Sequence, residues 1–120
     1  MRLTEELRNR SKQYASAIIR LYVSLPVSRR EVQVLGHQLL RSGTSVAAQI
    51  REASRARSDA EFCSKLDSAL QEADESALWL ELLRDDCGIT AKELADLLTE
   101  TNELMSIFVT MVNRTKRRRT

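Results

Sequence analysis

The chain has 120 residues, enough for one domain that buries roughly 65% of the surface its unfolded form exposes. Its net charge is +2, its hydrophobic fraction 42% and its aromatic fraction only 4%, with three Gly and one Pro, so a core of Leu, Ile, Val and Ala in helices is expected. No apolar run approaches the ~18 residues of a membrane helix, and Met1-Arg2-Leu3-Thr4-Glu5-Glu6 lacks the apolar block of a signal peptide, so a cytoplasmic location is expected.

The first helical period runs from about Thr4 to Leu25, with Leu7, Tyr14, Ile18, Leu21 and Leu25 on one stripe, and Pro26 stops it. Ser28-Arg-Arg-Glu31 has the spacing of a capping box, in which the Ser hydroxyl takes a free helical N–H and the Glu reaches back to the cap. The second helix follows from about Arg29 to Ser54, with Val32, Leu35, Leu39, Val46, Ile50 and Ala53 on its stripe. Gly43, Ser45, Ala47 and Ala48 keep one stretch small enough for a neighbouring backbone to approach closely. A second box, Ser58-Asp-Ala-Glu61, opens a helix from Asp59 to about Asp86. There Phe62, Leu66, Ala69, Ala73, Ser76, Leu80, Leu83 and Cys87 alternate steps of four and three. Gly88 breaks it, and a third box, Thr90-Ala-Lys-Glu93, opens the last helix, from about Ala91 to Asn113, with Leu94, Leu97, Thr101, Leu104, Phe108 and Met111. Short connections make sequence neighbours antiparallel, so the expected fold is all-α: an up-down-up-down four-helix bundle over residues 1–113, followed by a basic tail over 114–120.

Leu78-Trp79-Leu80-Glu81-Leu82-Leu83 is apolar around most of a turn, and Ile107-Phe108-Val109 also spreads past one stripe. A helix apolar on several sides is buried on several sides, so Leu78, Trp79, Leu82 and Phe108 are the expected contacts between subunits of an oligomer. Cys63 and Cys87, 24 residues apart, would stand about 36 Å apart on one straight helix, far beyond disulfide reach, and are read as small buried residues.

The charge is unevenly placed. Residues 1–58 hold 11 Lys/Arg against 4 Asp/Glu, residues 59–113 hold 3 against 13, and residues 114–120 hold 5 against none. One reading is internal: a basic helix pair packs beside an acidic pair. The other is that a basic surface meets nucleic acid. Arg51 and Arg55 share a helix face, Arg57 sits in the turn beyond, and Arg114, Lys116, Arg117, Arg118 and Arg119 cluster at the end. Guanidinium density of this kind suits phosphate and reads little base sequence; with so few aromatics off the apolar stripes, no base-stacking platform is expected. Chemistry for catalysis is thin: there is a single histidine, His37, and no phosphate loop, dinucleotide motif or zinc spacing. Glu72, Asp74 and Glu75 lack the histidines of a bundle di-iron site and read as a solvated face. Neither an enzyme nor a cofactor is expected.

Leu40-Arg-Ser-Gly-Thr-Ser-Val-Ala-Ala-Gln-Ile-Arg-Glu-Ala53, followed by Ser58-x-x-Glu61-Phe62, Leu66, Ala69-Leu70-x-Glu72-Ala73-x-Glu75 and Trp79-Leu80, resembles the four-helix-bundle family of 23S rRNA intervening-sequence proteins. The similarity covers most of residues 14–112 and is densest from 40 to 83. The resemblance implies a homopentamer of bundles around a central channel. It also implies kinship with accessory variability proteins of diversity-generating retroelements, which bind nucleic acid and a reverse transcriptase. The function expected is therefore a non-enzymatic oligomer that binds RNA or DNA electrostatically; the alternative is a protein-interaction scaffold that presents its acidic helices to a basic partner.

Overall fold

Four helices form at the four periodic segments. A computed structural model describes residues 2–118, with side chains described from residue 5 onward: α1 spans Arg2–Ser24, α2 Arg30–Ala53, α3 Asp59–Asp85 and α4 Lys92–Arg118. No strand occurs among the described residues. The helices lie side by side in a body of 52 × 20 × 20 Å.

The breaks sit where the sequence puts them, but the caps differ. At the end of α1, Ser24 Oγ donates to the Leu21 carbonyl at 2.7 Å, and the Leu25 N–H returns to Tyr22 at 3.1 Å, before Pro26. The first expected capping box does not form, because α2 starts one residue later: Arg29 holds the cap position in extended conformation without a side-chain cap bond. Its guanidinium instead donates to the Cys87 carbonyl at 2.8 Å, so the residue that opens α2 serves the carbonyl end of α3. The second box forms its first half, Ser58 Oγ accepting the Glu61 N–H at 3.1 Å. The third is absent among the described residues: α4 begins at Lys92, and the preceding reversal belongs to Gly88, whose φ of +70° lets the Ile89 N–H return to the Leu83 carbonyl at 3.0 Å.

The end of α4 also differs from expectation. The helix continues beyond Asn113 to Arg118, so the basic residues described there are helical rather than a trailing tail. The reason is local. Nothing between 113 and 118 breaks a helix, Thr115 is buried with its hydroxyl on the Met111 carbonyl at 2.8 Å, and cations in a last turn suit the negative end of the helix dipole.

The expected stripes form the core. Ile18, Leu39, Val46, Ile50, Leu80, Leu83, Leu104 and Phe108 are fully shielded, and each side chain of this size contributes roughly 1.5–3 kcal/mol on burial. Phe108 is a correction: at 0% exposure it is filled around by its own chain and has no surface left for another subunit. Cys63 and Cys87 are buried and free, as read. Gly43 allows the close approach expected of it: a Cβ there would lie 2.8 Å from Ile18 Cγ1.

Pairings across the helix seams place the elements. Lys65 near the start of α3 holds Glu52 near the end of α2 at 2.7 Å. Arg41 reaches Glu75 at 3.2 Å and Glu72 at 3.7 Å, and Arg10 on α1 holds Glu100 and Glu103 on α4 at 2.7 and 2.8 Å. The internal reading of the charge asymmetry therefore applies to Arg10 and Arg41: these basic residues of the first half meet acids of the second.

At mid-height the core is polar, with one side chain from each helix. The hydroxyls of Tyr14 (α1) and Thr101 (α4) are 2.6 Å apart, and those of Ser42 (α2) and Ser76 (α3) are 2.7 Å apart; the Tyr14 hydroxyl also faces Ser76. Thr101 donates to the Leu97 carbonyl at 2.6 Å, which leaves Tyr14 as the donor to it; Ser76 donates to the Glu72 carbonyl at 2.9 Å, closer than the 3.4 Å from Ser42 to the Leu39 carbonyl, which favours Ser42 as the donor to Ser76. Burial holds the Tyr14 phenol above its ordinary pKa. A buried polar layer is satisfied only when the helices stand in one register, which makes it a device for specificity more than for net stability.

Candidate nucleic-acid interface

Where α2 gives way to α3, the chain turns tightly and is pinned. The N–H groups of Ser54, Arg55 and Ala56 return to the carbonyls of Ile50, Glu52 and Ala53 at 2.9–3.1 Å, and the Ser58 cap closes the link. Arg55 and Arg57 are thus presented from a short, fixed connection beside the last turn of α2, which carries Arg51. All three are exposed. The end of α4 arrives at the same place. Met111, Arg114, Thr115 and Arg118 follow one face of α4 and, with Ala53, Ser54, Ala56, Arg57, Ser58, Asp59 and Phe62, line a groove of about 470 Å³.

The structure therefore brings Arg57, Arg114 and Arg118 to one groove although 57 and 118 are 61 positions apart. Arg51 and Arg55 do not line it. Lys116 and Arg117 lie on other faces of α4, and Arg119 lies outside the described residues. Among the described residues, Arg51, Arg55, Arg57, Arg114, Lys116 and Arg118 make no ion pair, in contrast to Arg10, Arg29 and Arg41 along the body. One acid, Asp59, lines the groove. The resulting end is a concentration of unneutralised guanidinium groups on a fixed frame, with the chemistry to hold phosphate oxygens by charge-assisted hydrogen bonds.

Two features of this end are not legible as a site in the sequence. Phe62 and Met111 are spaced as core residues, yet both line the groove, with Phe62 only half-buried. The sole signal is positional: Phe62 opens the stripe of α3 and Met111 closes that of α4, at the end where the core runs out.

The expected subunit contacts separate. Leu78 is exposed at 46%, while Trp79 and Leu82 are half-buried on α3. Trp79 Nε1 is shielded and has no hydrogen-bond partner among the described residues. A second apolar surface lies on the other helix pair: Ile19, Val23 and Val27, four residues apart along α1 and the turn after it, and Val34 on α2 are all exposed. The available signal was that Ile19 and Val23 fall off the stripe of Ile18, Leu21 and Leu25. His37 shares an exposed contact with Tyr22, its Nε2 3.1 Å from the phenol oxygen. Asp85, near the end of α3, is held by Arg84 at 2.7 Å, which lowers its pKa.

Residues 5–110 match the family model described as 23S rRNA-intervening sequence protein. The chain belongs to that family. A solved structure of a protein of unknown function from the S23 ribosomal protein family, from Bacteroides thetaiotaomicron, is 37% identical. The match covers 88% of this chain and 97% of that one, with a TM-score of 0.80. No curated protein matches. In this family member Arg57 of the groove falls inside the matched span, as do Arg51 and Arg55 beside it, whereas the groove's Arg114 and Arg118 lie beyond the span.

Proposed function

We propose that this family member is a non-enzymatic, cytoplasmic bundle of antiparallel, up-down-up-down helices that assembles as a homopentamer and binds nucleic acid electrostatically at the arginine-rich end. The antiparallel order is supported by the seam pairings, in which the start of one helix meets the end of its neighbour: Lys65 near the start of α3 with Glu52 near the end of α2, and Arg29 just before α2 with Cys87 just after α3. Assembly is supported by the exposed apolar residues on α1 and α3. The observation that carries nucleic-acid binding is the set of exposed arginines without acid partners gathered where α2 and α4 end. Such a site gives affinity with little sequence preference and weakens steeply with salt. Anisotropy of labelled structured RNA and duplex DNA tests it: binding at ~50 mM salt that fades by ~200 mM is expected, and no binding at the lower salt sinks the reading.

A second reading has its own observation. Asp67, Asp74 and Glu81 recur every seven residues on α3, are exposed and make no ion pair among the described residues. That acidic face suits a basic protein, and we propose a reverse transcriptase as one such partner. A partner bound there is not displaced by nucleic acid, whereas one bound at the arginine groove is.

A further inference from the structure

We propose that the groove between the α2–α3 link and the end of α4 takes an unpaired nucleotide: its phosphate lies on Arg57, Arg114 and Arg118, and its base lies on Phe62 and Met111. The inference rests on the nucleic-acid reading and specifies what that end prefers, a single-stranded extension over a continuous duplex.

A flat duplex-binding surface needs only cations. This groove has two halves. Three guanidinium groups with no ion pair supply the cationic half. Phe62, half-buried, and the edges of Met111 and Ala53 supply an apolar half directly beside them. The volume of about 470 Å³ lies within the range of small-ligand sites, about 300–1,000 Å³. A phosphate alone leaves the apolar half unfilled, and an apolar peptide leaves three cations uncompensated. A nucleotide fills both, because every base has a π-face that stacks on an aromatic ring while its phosphate sits a few ångströms away. The base must stand outside a duplex stack, because a base within a continuous duplex has both faces covered by its stacked neighbours, whereas an unpaired base can leave the stack freely. Asp59, the one acid in the groove, selects against a second phosphate close by and leaves a polar acceptor for a base amino group or ribose hydroxyl.

The experiment compares a labelled blunt RNA duplex with the same duplex carrying a short 3′ overhang, at ~50 mM salt. The overhang is expected to bind about tenfold more tightly, in line with one stacked base. Because Phe62 packs against the core, Phe62→Leu, which keeps an apolar side chain there and removes the π-face, is the informative variant, with Phe62→Trp as its counterpart. F62L is expected to bring overhang affinity down to that of the blunt duplex, and F62W to keep the preference. Equal binding of overhang and blunt duplex overturns this inference and leaves the electrostatic reading standing. Binding of neither overturns both. Displacement of the overhang by an oligoglutamate peptide as effectively as by single-stranded RNA assigns the groove to an acidic protein and overturns it too.

Discussion

Thr101→Val is expected to cost more than Tyr14→Phe, although both break the same hydrogen bond. The Thr101 hydroxyl is fully buried, accepts from Tyr14 at 2.6 Å and donates to the Leu97 carbonyl at 2.6 Å. Replacing Thr101 by Val removes that acceptor and leaves the Tyr14 O–H, 2% exposed, only the already bonded Ser76 hydroxyl to turn to, at about 1–3 kcal/mol. Replacing Tyr14 by Phe leaves Thr101 donating to Leu97 and removes one neutral bond, at about 0.5–1.5 kcal/mol. The double variant removes both polar groups, so its cost should fall short of the sum by about 1 kcal/mol. For a chain of this length 1 kcal/mol is about 4 °C in Tm. Urea unfolding followed by far-ultraviolet circular dichroism, at one protein concentration throughout, reads all three differences. A Tyr14→Phe cost equal to or above that of Thr101→Val, or strict additivity, refutes the donor assignment in the polar layer.

Gly43→Ala places a Cβ 2.8 Å from Ile18 Cγ1 and 3.0 Å from Cγ2, atoms too near the Ile18 backbone to swing away. The overpacking cost of about 1–3 kcal/mol outweighs the roughly 1 kcal/mol of helix propensity gained, so Tm falls, and Ile18→Val in the same chain restores part of it. Arg10 holds the Glu100 carboxyl below the usual range, chiefly through their hydrogen bond. That stability is present above the pH at which the unfolded carboxyl titrates, about 4.3, and is lost as pH falls through the lower folded value. Arg10→Ala should therefore flatten the acid limb of stability against pH by less than about 1 kcal/mol, given Arg10's exposure; an unchanged limb contradicts the pairing. Leu78→Glu should lower the mass seen by mass photometry while leaving helicity intact, and a wild-type monomer at micromolar concentration refutes the assembly outright.

The helices were legible because apolar periodicity and breakers agree: every stripe residue from Leu7 to Met111 is buried except Leu35 and Phe62, which are partly so. Caps were less legible. A Ser-x-x-Glu spacing states that a box can form, but at α2 the start is set by Arg29, whose side chain serves Cys87, 58 positions away. The same limit applies to the site. Arg57 and Arg114 each stood out as cations, but their convergence depends on the α3–α4 return, and the choice between paired and unpaired arginines depends on which seam each helix face meets. Arg41 looks in sequence like Arg51, yet only Arg41 lies opposite Glu72 and Glu75. Phe108 shows the converse. An apolar cluster on a helix reads as surplus until the depth of the core around it is known.

The most direct test of the central claim is the salt dependence of RNA binding by the triple variant Arg57→Ala, Arg114→Ala, Arg118→Ala, with Arg41→Ala as the paired control. Each phosphate contact contributes about 0.9 to the slope of log affinity against log salt on a duplex. If the groove arginines carry the binding, the triple variant loses affinity and its slope falls by about 2–3, while Arg41→Ala changes neither. An unchanged slope in the triple variant, or an equal loss in the control, contradicts the account.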